Sequence, residues 1–399
     1  MNTDHVPEFV NPVLPLHGPS GYRVEAGVLF DRAQEVLKAG GTDFGSVVRA
    51  DQFSSDWRAL APFQEERRRR LGAYVPPSTS VLELGSVHAG ARIDLSLIAF
   101  VPGEGRKLES FIPDGLDLPA RAGFSPVAAV GDYVFIAGFM AAWKQGDLGG
   151  IAPEAQVPPG HLWKGTRIQL ETEYLIEKKL VPALAAAGAS LDGVVKAHIY
   201  LRDISDLPAF NETWQRYFGP NTPASIVVPT PTPGFAIEDA RIEVNLVAVR
   251  GTTQKENIHS FRFLGIAGQP AAVRAGEFLF ISGLLALTPD GLIPGLDDDS
   301  TPYFNSRIER QMEAILDTAE DICARAGTSL KNVVRVQHFM TDLGEFNAAY
   351  HVWRSRLGDA PLPFSVIRVP KPLIAERCSV LVDLWIYCPD AEVCEGSEL

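Results

Sequence analysis

Hydrophobic and polar residues alternate through ARIDLSLIAF, residues 91–100, and again through ARIEVNLVAV, residues 240–249. A period of two marks a strand with two different faces. In the first stretch Ile93, Leu95, Leu97 and Ala99 share one face, and Arg92, Asp94 and Ser96 share the other. In the second, Ile242, Val244, Leu246 and Ala248 oppose Arg241, Glu243 and Asn245. A third version, CSVLVDLWIY at 378–387, keeps the apolar face through Val380, Val382 and Leu384, but Leu381 stands where the others carry a carboxylate. An arginine and a carboxylate two residues apart, written twice on the polar face, suggest duplicated strands facing a cleft.

The elements around these strands recur in the same order. AGVLFDRAQEVLKAGG predicts an amphipathic helix with Val28, Leu29, Ala33, Val36 and Leu37 as its apolar stripe and Gly40–Gly41 as its end. A strand at 46–53, a helix in DWRALAPFQEERRRRLG and a strand at 78–84 lead to the first alternating stretch. The second pass runs through a helix in LETEYLIEKKLVPALAAAG, a strand at 193–201, a helix in DLPAFNETWQRYFG and the strand ASIVV. The third starts from a helix whose stripe is Met312, Ile315, Leu316, Ala319, Ile322 and Cys323, and continues through NVVRVQHFM, DLGEFNAAYHVWRSRLG and FSVIRV. Similar turns, GTDFGSVV, GASLDGVV and GTSLKNVV, precede the first strand of each pass. Copies spaced by about 140 residues are too long for solenoid units, so each is expected to be a small domain.

Copies two and three open with a hairpin, at 123–143 and 268–288, turning at Gly131–Asp132 and Gly276–Glu277; copy one has no counterpart. The expected organisation is an irregular arm at 1–21, a truncated unit plus linker at 22–119, complete units at 120–255 and 256–390, and an acidic tail at 391–399. RKLESFIPDGLDLPARA and TTQKENIHSFRFLGIA read as linkers.

Composition narrows the function classes. With 46% hydrophobic and 21% charged residues, the chain is an ordinary globular mixture, and no apolar run reaches membrane-spanning length. A net charge of −13 without an offsetting basic stripe argues against nucleic acid. The one basic run, Arg67–Arg70, follows Glu65 and Glu66 and reads as a solvated, salt-bridged helix face. The N-terminus has no signal-peptide pattern, so a cytoplasmic location is expected. The four cysteines, Cys323, Cys378, Cys388 and Cys394, match no zinc spacing and read as free structural thiols. No histidine pair has metal-ligand spacing, and His88, His161 and His198 form no triad.

The order hairpin, helix, strand, helix, strand, strand resembles the RidA/YjgF/UK114 family of enamine/imine deaminases. The resemblance is carried by AAGASLDGVVKAHIYLRDISDLPAFNETWQRYF, by AGTSLKNVVRVQHFMTDLGEFNAAYHVW and by the Ile281–Ser282–Gly283 step. It implies an α+β fold of three tandem RidA-like (chorismate-mutase-like) units, each a mixed sheet with two helices on one face, packed as an intramolecular pseudo-trimer. Family clefts lie between subunits, need no cofactor, and act on small molecules. The resemblance thus implies hydrolysis of a small enamine, imine or related C–N bond, by a monomer or small homo-oligomer. An inactive ligand-binding or scaffold protein of the same fold is the alternative, and a cyclic amide hydrolase akin to cyanuric acid hydrolase or barbiturase ranks below it.

The family's substrate-carboxylate arginine is missing from all three copies. Its motif positions read Pro77–Ser78–Thr79, Pro223–Ala224–Ser225 and Pro363–Phe364–Ser365. The family's acidic residue maps to Glu243 and Asp94, and to Leu381 in copy three; its first-strand tyrosine maps to Phe124 and Gln269. Glu243 and Asp94 are therefore the catalytic candidates, as general acid or base, or else ion-pair partners of Arg241 and Arg92. Ser225, Ser365, Ser282, Asn211 and Phe124 are candidate substrate contacts. Arg241 and Arg92 are candidate replacements for the missing anchor, since a residue two before Glu243 lies about 6.5–7 Å along the same strand face.

Overall fold

The structure is a computed structural model. It describes residues 19–389 apart from short stretches at 73, 89, 104, 117, 119–122, 146–147, 164, 238, 266–267 and 297–305. Most of the expected N-terminal arm, the acidic tail and Cys394 lie outside the described residues.

The first sheet is the smallest. Helix α1 (Pro19–Ala39) leads to strand β1 (Val47–Ser54), helix α2 (Leu60–Leu71), and strands β2 (Ser78–Leu82) and β3 (Ile93–Ala99), ordered β2-β1-β3. Helix α1 begins earlier than the sequence pattern indicates, and its buried face is Tyr22, Ala26, Phe30 and Leu37, whereas Val36 is 71% exposed. The apolar stripe was misplaced because Tyr22, one turn before Ala26, anchors it against Phe63 and Ile93. Arg69 and Arg70 pair with Glu66 on the solvent side as expected, but Arg67 is buried and donates to Ser78 Oγ at 2.8 Å. Burial lowers the Arg67 pKa to about 10.

The second sheet has six strands. They are β4 (Leu108–Phe111), β5 (Val127–Val130), β6 (Tyr133–Phe139), β9 (Val194–Leu201), β10 (Ala224–Pro229) and β11 (Ile242–Val249), in the order β10-β9-β11-β6-β5-β4, with a small ribbon of β7 (Ala142–Gln145) and β8 (Leu148–Ile151) beside it. The hairpin turn is where the sequence places it, with Gly131 at a φ of 57°. Helix α3 (Thr166–Leu175) passes through a π turn at Ile176–Leu180 into α4 (Val181–Ala186), where Pro182 has no N–H to give the helix ladder. Helix α5 (Leu207–Phe218) packs beside it through Phe210, Trp214 and Phe218.

The third sheet repeats that order. Strands β12 (Lys255–Ile258), β13 (Ala272–Ala275), β14 (Phe278–Ile281), β17 (Val333–Met340), β18 (Phe364–Arg368) and β19 (Val380–Tyr387) run β12-β13-β14-β19-β17-β18, with a ribbon of β15 (Leu287–Thr288) and β16 (Gly291–Leu292). Helices α6 (Arg307–Arg325) and α7 (Phe346–Leu357) cover it, and the six stripe residues of α6 are all buried. Strands β4 and β12 lie in the segments read as linkers. Each instead adds an edge strand to the following sheet, paired to β5 and β13.

The faces without helices turn toward one another. Phe53 of β1 meets Tyr200 of β9 and Phe339 of β17, with ring centroids 6.3 and 6.1 Å apart. Two residues earlier on each strand stand Asp51, His198 and Gln337, and two earlier again Arg49, Lys196 and Arg335, all buried. Their charges are paired within β1 and between sheets. Asp51 takes Arg49 Nε at 2.9 Å and also pairs with Arg335, and Asp383 takes Lys196 Nζ at 2.5 Å and His198 Nε2 at 2.9 Å. Burial works to raise both aspartates, but Arg49 and Arg335 hold Asp51 below its usual value, and Lys196 and His198 do the same for Asp383. Removing one partner of such a buried pair costs about 3–5 kcal/mol.

Candidate functional site

The alternating strands place three equivalent positions at three junctions between sheets. Within each sheet Asp94 faces Phe53, Glu243 faces Tyr200 and Leu381 faces Phe339 across the ladder. The surroundings of these three residues differ.

Glu243 sits between the first and second sheets. Its carboxyl fills the space left by a missing side chain: a Cβ on Gly138 would overlap Oε1 and stand 3.0 Å from Thr79 Oγ1. Asn245 donates to the Thr79 hydroxyl at 2.7 Å. Glu243 is 3% exposed. Burial raises its pKa to about 8, with the Ser80 backbone hydrogen bond opposing and the charge of Asp51 adding to the rise. At neutral pH the group is therefore mostly a neutral acid, able to give a proton rather than take one. The Tyr200 hydroxyl, buried beside it, has no hydrogen-bond partner among the described residues.

Ser80 links this carboxyl to open space. While its backbone holds Glu243, its side chain lines a cavity of about 360 Å³ with Gln52, Ser54, Trp57, Leu60, Phe235 and others. Leu82 N–H donates to Gly234 O at 2.9 Å and closes the two sheets around it. Glu243 is not part of the cavity wall; it lies one residue behind it. Phe124 is half-buried near the same junction, where Ser125 N–H donates to Val75 O at 2.7 Å.

Asp94 stands apart from Glu243, where the first sheet meets the third. It accepts from Ser86 Oγ at 3.2 Å, and Ser86 bridges to Ile367 while Leu84 N–H donates to Arg368 O. The buried carboxyl of Glu83 approaches Asp94 and the backbone of Arg368. Burial, reinforced by the charge of Asp94, pushes Glu83 up to about 10. Ser365 is half-buried with no partner for its hydroxyl among the described residues.

At the junction of the second and third sheets, Leu381, Ile226, Leu285 and Ile374 line a cavity of about 120 Å³. Ser225 and Ser282 meet here, with Ser225 N–H donating to Ser282 Oγ at 3.3 Å, while the two hydroxyls donate to the carbonyls of Pro223 and Pro270. Both are tied into the backbone.

The remaining candidates are placed elsewhere. Arg241 donates to Asp206 at 2.6 Å and pairs with Asp203 at 3.6 Å, while its backbone N–H meets Glu171; it does not pair with Glu243. Arg92 holds Glu25 at 3.0 Å and lies over the Tyr22 ring. Asn211 is half-buried on α5 and lines neither cavity. Glu83, Gln52 and Ser54 were not singled out in the sequence, because each gains meaning only from chain far away. Among the described residues, no group of three or more histidine, cysteine or acidic side chains is placed to hold a metal. Nor is any helix long and apolar enough to cross a membrane.

Comparison with known proteins decides the family. The endoribonuclease L-PSP family model matches residues 116–250 and 265–370, together more than half of the chain. The chain belongs to that family, the RidA/YjgF group. The two matched stretches cover most of the second and third sheets. A RutC family protein of Pyrococcus abyssi is 35% identical over 105 residues, 26% of this chain and 71% of the relative. The 3-aminoacrylate deaminase RutC of Acinetobacter baylyi is 31% identical over 140 residues, 35% of this chain and 96% of that protein. A chorismatase crystal structure matches 86% of this chain and 93% of its own, with a TM-score of 0.50 and 13% identity, a likeness of fold. The RidA-like α+β architecture is thus shared along most of the chain.

Proposed function

We propose that the chain is a hydrolase of the deaminase type that splits a small enamine or imine at the junction of the first and second sheets, with Glu243 as its acid. The first sheet, with α1 and α2, is read as a third unit at about 22–119, truncated by the loss of its hairpin. With units at 120–255 and 256–390 it forms a pseudo-trimer within one chain. The observation that carries the reading is the carboxyl of Glu243, buried, held as a neutral acid and seated in the gap left by Gly138, one residue behind the open cavity.

In the proposed reaction the Glu243 carboxyl, behind the cavity wall, supplies the proton that a water molecule passes to the enamine carbon, leaving an iminium ion. Water adds to the iminium carbon and loses its proton to the carboxylate, and the carbinolamine then expels ammonia, leaving a carbonyl compound and the acid restored. No metal or cofactor is required by these steps. The 3-aminoacrylate deaminase among the relatives supports the chemistry class.

The junction of the second and third sheets favours a different reading for that place alone. Its carboxylate is replaced by Leu381, and a Cβ on Gly283 would stand 2.8 Å from Ile226 and 3.1 Å from Leu381. It is proposed as a structural, inactive junction. The test is ammonia release from enamine substrates: Glu243→Gln should keep the fold and lose turnover, and unchanged turnover would remove Glu243 from its role.

A further inference from the structure

We propose that the cavity at the first junction binds an uncharged β-enaminone, a planar vinylogous amide with an N–H donor at one end and a carbonyl acceptor at the other. This rests on the deaminase reading above and names the substrate class that reading leaves open.

Among the described residues, the cavity wall has no charged side chain. Nearby arginines are committed elsewhere: Arg58 is clamped on Asp56, Arg92 on Glu25, and Arg241 on Asp206. Thr79 stands where an anion anchor would be. A carboxylate entering this space would lose its hydration with no cation to replace it, a cost a neutral ligand avoids.

The polar part of the wall has a fixed sense. The Ser80 hydroxyl donates to Gln52 Oε1 at 3.3 Å, and Gln52 Nε2 donates to Ser54 Oγ at 3.0 Å. Ser54 accepts from Gln52, so its own proton is directed to another acceptor; Ser80 spends its proton on Gln52, so its lone pairs are directed to another donor. The cavity therefore offers one donor and one acceptor, held one carboxamide apart. An enaminone carries such a donor and acceptor on one planar conjugated frame and, unlike an ordinary amide, is an enamine that the proposed reaction can split. Trp57, Leu60 and Phe235 supply apolar surface for the planar body of the ligand. Hydrolysis of such a ligand balances as enaminone plus water giving a 1,3-dicarbonyl compound plus ammonia.

The experiment uses the full chain and 3-aminocyclohex-2-en-1-one, with calorimetry for binding and ammonia release for turnover. Two analogues accompany it: the 3-dimethylamino compound, which has no N–H, and a ring carboxylate of the parent. The parent should bind, the dimethylamino analogue should bind about tenfold more weakly, and the carboxylate should bind weaker still. Ser54→Ala should weaken the parent several-fold, consistent with one neutral hydrogen bond. Absence of parent binding, equal binding of the dimethylamino compound, or tighter binding of the carboxylate would overturn the proposal. Binding without ammonia release would leave the ligand class standing and sink the deaminase reading. Turnover of the carboxylate alone would do the reverse. The Glu243→Gln variant should bind the parent and release no ammonia.

Discussion

The junction holding Glu243 and the one holding Leu381 use the same backbone plan for opposite ends. In both, a strand residue facing an aromatic partner across the ladder points at a glycine near the end of a hairpin: Gly138 for Glu243 and Gly283 for Leu381. At the first, the space without a Cβ receives a carboxyl. At the second it receives the aliphatic carbons of Ile226 and Leu381. The close approach is common to both places, and what fills it differs. Chemistry is an option that one side chain exercises, which is why a family fold alone does not establish activity at any one cleft.

Four experiments break or sharpen that contrast. The largest effect is expected from Glu243→Gln, which should reduce turnover by roughly a hundredfold or more while circular dichroism stays unchanged; Leu381→Ala should leave turnover intact. Next, Leu381→Glu puts an acid into the apolar junction with no cation at hand, and should destabilise the fold by about 3 kcal/mol in urea denaturation at neutral pH. If it costs nothing, that junction is wetter than its lining suggests.

The third is a pH profile. Glu243 is raised to about 8 in the folded chain from an ordinary value of 4.5, so the folded state holds the proton more tightly than the unfolded state. Its contribution to stability is full below about pH 4.5 and is lost as pH rises through 8, with a slope of up to about 1.4 kcal/mol per pH unit from this one group. Glu243→Gln should flatten that part of the stability profile, and in the wild type kcat/KM should fall above about pH 8. A profile unchanged by the substitution would show that the carboxyl is ionised in the folded state. The smallest effect belongs to Arg241→Met. It should lower stability by about 1 kcal/mol through the lost Asp206 contact and change KM for neutral and anionic substrates alike. A loss confined to an anionic substrate would put Arg241 back in the cleft.

The sequence exposed periodic features better than partnerships. The α6 stripe and the hairpin turns repeat over short distances, and their positions could be read directly. The start of α1 was missed because Tyr22 is buried only by α2 and the first sheet, and β4 and β12 were missed because LESF and KENI are short, charged edge strands with little alternation. Glu243 stood out because its strand is duplicated. Its raised pKa, by contrast, depends on Gly138, Thr79 and Ser80 closing around it from about a hundred residues or more away. The partner of Arg241 was hidden for a related reason. Two residues along a strand predicts a shared face, but Arg241 precedes the paired part of β11, where Asp206 draws it toward α5.

The charges between β1, β9 and β17 also bear on how such a chain can change over evolutionary time. Each sheet holds one or more ions whose counterions are anchored in another: Asp51 serves Arg335, and Asp383 serves Lys196. Three copies of the second unit alone would gather three lysines, with Asn245 where the third unit has Asp383. A chain rebuilt from that unit alone would bury lysines without the carboxylate that Lys196 pairs with here.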